Sequence, residues 1–234
     1  MAQGVMGQGG PLHAVIFDLD GTLVDTIGDL TVALNRTLAD LDLPPHAQDA
    51  VRGMVGGGLA KLLERGLAAH GVTLGADGRT FAVGRLLEHY AANPADQSRL
   101  YPGAREALGA LRDTGVACGM CTNKPQTIAR DLLQALGIAD AFGLIQGSEA
   151  GFPKKPHAAG LSHVVSTLGA TPETAVMVGD SVVDVETARA AGLSIVVLGS
   201  HGYSVTAVTE LGADAVINHL HELVQALALA EQAQ

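Results

Sequence analysis

Six short apolar runs are spaced along the chain, at residues 14–17, 116–120, 143–145, 175–178, 194–198 and 215–217. Most are near-continuous Val, Ile, Leu and Ala and do not alternate with polar residues. That is the pattern of strands covered on both faces. From the second run onward they alternate with segments of helical periodicity, at 104–113, 125–136, 157–168, 182–191 and 220–230. Pro125 and Pro172 suit first helical turns, and Ser181-x-x-Asp184 is a capping-box pattern. Strands alternating with helices predict an α/β fold, a doubly wound parallel sheet.

The first strand breaks this rhythm, because about ninety residues separate it from the second. Four segments in that stretch read as helix, at 29–41, 47–54, 59–70 and 79–91, with turns at Leu43-Pro44-Pro45, Gly56-Gly57-Gly58 and Asn93-Pro94. A structureless loop of that length is improbable in a compact domain, so the stretch is expected to be an inserted α-helical cap. The expected division is a disordered tail at 1–11, an α/β core at 12–24 and 95–234, and a cap at 25–94. The insert leaves the core just after the first strand, where open α/β sheets place their ligand crevice, and is placed to act as a lid.

Composition narrows the partners. The 234 residues are 47% hydrophobic but only 3% aromatic, so the core must be built from aliphatic side chains. A formal charge of −10 argues against nucleic acid or an anionic membrane surface. A small anionic ligand would need a local cation. No run is long and apolar enough to span a bilayer, and the N-terminal stretch has no signal-peptide pattern. With two cysteines, this points to the cytoplasm. Cys118 and Cys121 form a C-x-x-C within an expected strand, where residues three apart face opposite sides, roughly 10 Å apart. A disulfide tolerates at most about 7 Å, so both are expected to be small core residues. The nine histidines form no persuasive ligand set, and the state, monomer or homodimer, stays open.

Four polar clusters follow four of the expected strands. Phe17-Asp18-Leu19-Asp20-Gly21-Thr22 carries two close carboxylates, costly unless a cation neutralises them or one is protonated. Thr122-Asn123 places a hydroxyl and an amide where a phosphate oxygen can be held before a helix. Lys154-Lys155-Pro156 offers a cation, and Gly179-Asp180-Ser181-Val182-Val183-Asp184 two more carboxylates. Each alone also reads as turn, cap or solvated loop. Together they supply carboxylates for a hard cation, Mg²⁺ or Mn²⁺, with phosphate donors and one lysine, all at strand carboxyl ends. Phosphoryl transfer to an aspartate is the chemistry that needs this set.

With those motifs in order from about Leu12 onward, the chain resembles the haloacid dehalogenase superfamily of phosphatases, its insert in the position of a C1-type cap. The resemblance implies that Asp18 is the nucleophile and Asp20 the general acid and base. It implies that Thr122 and Lys155 bind the phosphoryl group, assisted by Asn123. It gives Mg²⁺ to Asp18, Asp180 and the Asp20 carbonyl, with Asp184 in or beside that shell. Ala158 departs from the family pattern, in which a second proline is usual. Leu43-Pro44-Pro45, the stretch from Val51 to Gly58, and Leu63-Glu64-Arg65 resemble the cap of bacterial phosphoglycolate phosphatases. That resemblance implies a small phosphorylated metabolite, 2-phosphoglycolate, whose carboxylate would meet backbone N–H groups at Gly57 and Gly58. A phosphomutase would share the core. A receiver-type phosphorylation switch would need neither Asp20 nor the insert, and a dehalogenase would not need Asp20 or the full metal set.

Overall fold

The computed structural model describes residues 11–198, 203 and 210–227. Nearly all of the expected tail, and the end of the 220–230 helix, lie outside them. A six-stranded sheet runs in the order β5-β4-β1-β6-β7-β8, every neighbouring pair parallel. Its strands are β1 (Ala14–Phe17), β4 (Ala117–Pro125), β5 (Leu144–Ser148), β6 (Ala175–Gly179), β7 (Ser194–Leu198) and β8 (Ala215–Ile217). All four residues of β1 are inaccessible to solvent. Val15 and Phe17 pack with Leu108, Leu111 and Leu132 of α5 (Ala104–Asp113) and α6 (Gln126–Ala135). Ala14 and Ile16 pack oppositely, with Leu161, Val164 and Val185 of α7 (Ala159–Thr167) and α8 (Val182–Ala191). Helices on both faces explain why the strands are apolar throughout. Cys118 and Cys121 are free and buried in different clusters, on opposite faces.

Between β1 and β4 lie α1 (Ile27–Ala39), α2 (Gln48–Arg52), α3 (Leu59–Ala68) and α4 (Ala76–Ala92). Leu34, Leu62, Leu63, Leu86 and Tyr90 give them a separate hydrophobic cluster, which Ile128 of α6 and Tyr203 join from the core side. A two-stranded antiparallel ribbon that the apolar pattern does not reveal joins them to the core. It pairs β2 (Val24–Asp25) with β3 (Arg99–Leu100), Val24 opposite Leu100. Two residues per strand are too few to show a period. Two other local differences concern prolines and helix starts. Pro125 ends β4 and caps α6 instead of entering its first turn. The helix expected from 220 begins as a 3₁₀ turn, Leu220–Glu222, before α9 (Leu223–Ala226). Among the described residues, no helix is long and apolar enough to cross a membrane.

A carboxylate clamps the ribbon. Buried Asp29 in the first turn of α1 accepts hydrogen bonds from the N–H groups of Gln97 (2.9 Å) and Ser98 (2.8 Å) and from Ser98 Oγ (2.5 Å). The chain leaving for the helices is thereby tied to the chain returning. Removing a buried acceptor strands its donors, at about 1–3 kcal/mol each before relaxation. Asp29→Ala is therefore expected to lower unfolding free energy by about 3 kcal/mol in denaturant titration. Amide exchange at Gln97 and Ser98 should accelerate more than in β1.

Candidate active site

Asp18 is the first residue beyond β1 and its N–H is fixed by the Val178 carbonyl at 2.9 Å. Lys155 reaches it from the loop after β5, Nζ to Oδ1 at 2.8 Å, and also donates to Asp184 Oδ1 at 2.6 Å. The second oxygen of Asp184 accepts from Ser181 Oγ (2.7 Å) and the N–H groups of Ser181 (3.1 Å) and Asp180 (3.2 Å). Asp184 is thus capping-box acid and site residue at once. Asp180 accepts from Thr22 Oγ1 at 3.0 Å and from the N–H of Tyr203 at 2.8 Å. Such crowding requires glycine beside it. At Gly21, whose φ is +88°, a Cβ would stand 2.5 Å from Asp180 Oδ2.

Electrostatics leave this cluster short of positive charge. Asp18, Asp180 and Asp184 are all buried, each offering a carboxylate oxygen within 4.8 Å of the others'. Burial pushes the Asp18 carboxyl up to about 6, with Lys155 opposing and Asp184 adding to the rise. Burial, then Asp184 and Asp18, raise Asp180 well above the carboxylate range. Burial alone would lower Lys155, but Asp18 and Asp184 outweigh it and hold the ammonium charged. Asp18 Oδ1 accepts no well-aligned hydrogen bond from any described residue, Lys155 notwithstanding. An all-oxygen donor set carrying excess negative charge fits a hard divalent cation such as Mg²⁺.

Asp20 stands apart from that set. Its Oδ1 accepts from Thr26 Oγ1 at 2.7 Å and from Lys124 Nζ at 2.6 Å. Lys124 is 2% exposed, and the motif reading stopped one residue short of it. Its adjacency to Thr122-Asn123 was the available signal. Thr122 is buried and lines the cavity. Asn123 also lines the cavity, and its amide holds the backbone of Lys155. Its Oδ1 accepts the Lys155 N–H at 2.8 Å and its Nδ2 donates to the Lys155 carbonyl at 3.1 Å. Lys154, by contrast, is exposed.

Across the cavity, of about 400 Å³, the loop before α3 brings Gly56, Gly57 and Gly58 to face these groups. Their φ angles are +105°, +83° and +89°. Arg65, likewise unassigned by the motif reading, binds the carbonyls of Met54, Val55 and Gly56 through Nη1 at 2.8–3.1 Å. Neither the Gly57 nor the Gly58 N–H donates to another described residue. The cap meets the core closely here, since a Cβ on Gly58 would lie 3.0 Å from the Asn123 carbonyl.

A parallel sheet with a capped cluster of carboxylates and one lysine at its carboxyl edge is an arrangement suited to phosphoryl-transfer enzymes of the α/β class. The chain belongs to the haloacid dehalogenase-like hydrolase family, whose model matches residues 12–192. It is similar to a phosphoglycolate phosphatase of Rhodospirillum rubrum, 45% identical over 214 residues, covering 90% of this chain and 88% of that one. A phosphoglycolate phosphatase of Caulobacter vibrioides is 41% identical over 212 residues, covering 91% and 89%. Its fold is similar to that of a crystal structure from Haemophilus somnus described as a predicted phosphoglycolate phosphatase. That match has a TM-score of 0.85 and 28% identity, covering 93% of this chain and 98% of that one. With these relatives and this fold, the chain is a phosphoric monoester hydrolase.

A stability test follows from the charge imbalance. An acid whose native pKa lies above its unfolded value binds its proton more tightly when folded. Its contribution therefore lowers stability as pH rises from 3.8 through about 6. In metal-free buffer above pH 6, Asp18→Asn should melt several degrees above the parent. The gap should narrow toward pH 4, and also when Mg²⁺ stabilises the parent. A variant melting lower at every pH would contradict this account.

Proposed function

We propose that the protein hydrolyses a small phosphate monoester through an aspartyl-phosphate, with 2-phosphoglycolate as its substrate and glycolate and phosphate as products. The observation that carries this reading is the division of labour between two carboxylates two residues apart. Asp18 lies in the cation-poor cluster with Lys155, whereas Asp20 is held outside it by neutral and cationic donors. In the first step Asp18 attacks phosphorus and the ester P–O bond breaks, while Asp20 gives its proton to the leaving oxygen. In the second, Asp20 takes a proton from water as that water attacks the phosphorus of the acyl phosphate and frees Asp18. Dividing one displacement into two lowers each barrier. Lys155 and the Thr122 hydroxyl orient the phosphoryl oxygens. Asp18, Asp180 and the Asp20 carbonyl, with Asp184 alongside, would hold Mg²⁺, which would supply the charge that lets an anionic carboxylate approach an anionic ester.

Residues 25–94 serve as a cap that excludes water and large substrates. The N–H groups of Gly57 and Gly58, without partners among the described residues, are the elements suited to a second anion close to the phosphate, and Arg65 fixes the loop that carries them. A short carboxylated ester matches that arrangement, and the phosphoglycolate phosphatases among the relatives support it. The setting is the cytoplasm.

Turnover should vanish in EDTA and return with Mg²⁺, and Asp18→Asn should be inactive on every ester in a phosphate-release assay. Lys155→Ala should lose at least about 10²-fold, the scale of removing one transition-state contact, while Lys154→Ala stays near the parent. The kcat/KM for 2-phosphoglycolate should exceed that for hexose phosphates. Gly58→Val should erase that preference while an aryl phosphate is still cleaved. A hexose phosphate as best substrate, or its isomerisation, would overturn the substrate assignment.

A further inference from the structure

Among the described residues, Asp20 is bound at one oxygen. Both Thr26 Oγ1 and Lys124 Nζ reach Oδ1, at 2.7 and 2.6 Å, and no described residue donates to Oδ2. The side chain is 18% exposed and lines the cavity, so one carboxylate oxygen is anchored and the other remains for substrate. Thr26, at the N-cap position of α1, supplies its anchor from the start of the inserted helices. Lys124 supplies the other from the end of β4, within the register irregularity between Cys121 and Pro125.

The lysine has a second contact, on the cap. Its Nζ stands 4.5 Å from the centroid of the Tyr90 ring, near the end of α4. Tyr90 is 1% exposed, and its hydroxyl has no hydrogen-bond partner among the described residues. The ring face, not the hydroxyl, is what meets the lysine. A desolvated ammonium over an aromatic face is attracted by the ring's quadrupole more strongly than an exposed one. A buried lysine with one carboxylate oxygen and one ring face as partners has a well-defined position. That position couples a core strand, the proposed acid–base and a cap helix.

We propose that Lys124 is a positioning residue for proton transfer: seated on Tyr90 of the cap, it pins Oδ1 of Asp20 and so presents Oδ2 to the ester oxygen. The proposal rests on the reading of Asp20 as general acid, and it concerns orientation, not the charge of either group. A lysine that merely docked the cap would affect stability and every substrate alike. One that aims the acid affects chiefly substrates that need the proton.

Aryl phosphates of nearly equal shape and graded leaving-group acidity separate these cases, because kcat/KM reports the steps through the first phosphoryl transfer. General acid catalysis contributes roughly 10²- to 10⁴-fold. Lys124→Met should therefore lose about 10- to 100-fold more kcat/KM on phenyl phosphate than on 4-nitrophenyl phosphate. Asp20→Asn should show a still steeper difference, and Lys124→Arg should restore part of the loss on phenyl phosphate. Equal losses on both esters in Lys124→Met, with the steep difference retained in Asp20→Asn, would overturn the positioning role while leaving the acid in place. A flat response in Asp20→Asn would instead overturn the reading of Asp20. Should Lys124→Met fail to fold, Tyr90→Leu carries the test. It should show the same selective loss on phenyl phosphate, and an unselective change would refute the coupling.

Discussion

One buried ammonium among three buried carboxylates is the interaction around which the site is arranged. Lys155 cannot neutralise all of them, and the remaining repulsion is spread over hydrogen bonds that the fold supplies. The N-terminus of α8 offers two N–H groups and the Ser181 hydroxyl to Asp184, and the Thr22 hydroxyl serves Asp180. Asn123 grips the backbone of Lys155 on both its N–H and carbonyl sides, so the lysine's origin is fixed before its side chain extends. Removing any one of these supports exposes charge that burial has already made unfavourable. The cation-binding capacity of the site is the same imbalance seen from the ligand's side.

The helical layer depends on this arrangement at two places. The ribbon β2–β3 and the Asp29 clamp set where α1 departs and where the chain returns. On the far side, the glycine loop before α3 approaches the Asn123 carbonyl so closely that a side chain at Gly58 would have to displace something. Between these points Lys124 spans from β4 to Tyr90. Cap and core therefore share polar contacts at the chemistry itself, and their mutual position bears on the geometry of Asp20.

The sheet and its strand ends were legible because fully buried parallel strands leave uninterrupted apolar runs, as in 14–17 and 175–178. Asp18, Lys155, Asp180 and Asp184 were legible for a related reason, since each follows such a run or begins the next helix. What the sequence concealed was contact made across long separations by residues with ordinary local roles. Lys124 looks like a loop lysine until 104 positions of chain bring it to Asp20. Tyr203 donates its N–H to Asp180 from a stretch with no periodic signal. Asn123 reads as an anion-binding or capping residue, and nothing local shows that its amide also matches a peptide group 32 residues away. The hairpin of two-residue strands lies below the length at which alternation is visible.

That hairpin has a consequence for how such proteins diversify. Because outgoing and returning strands are hydrogen-bonded neighbours, the core sees the whole helical layer as a loop whose ends are already closed. Lengthening or replacing material beyond a closed pair of ends adds only a slowly growing entropy, about 0.6 kcal/mol for each doubling of a flexible loop. The ribbon is thus a grafting point. Different caps can be exchanged at it, altering which molecules reach Asp18 while the sheet that carries that carboxylate stays unchanged.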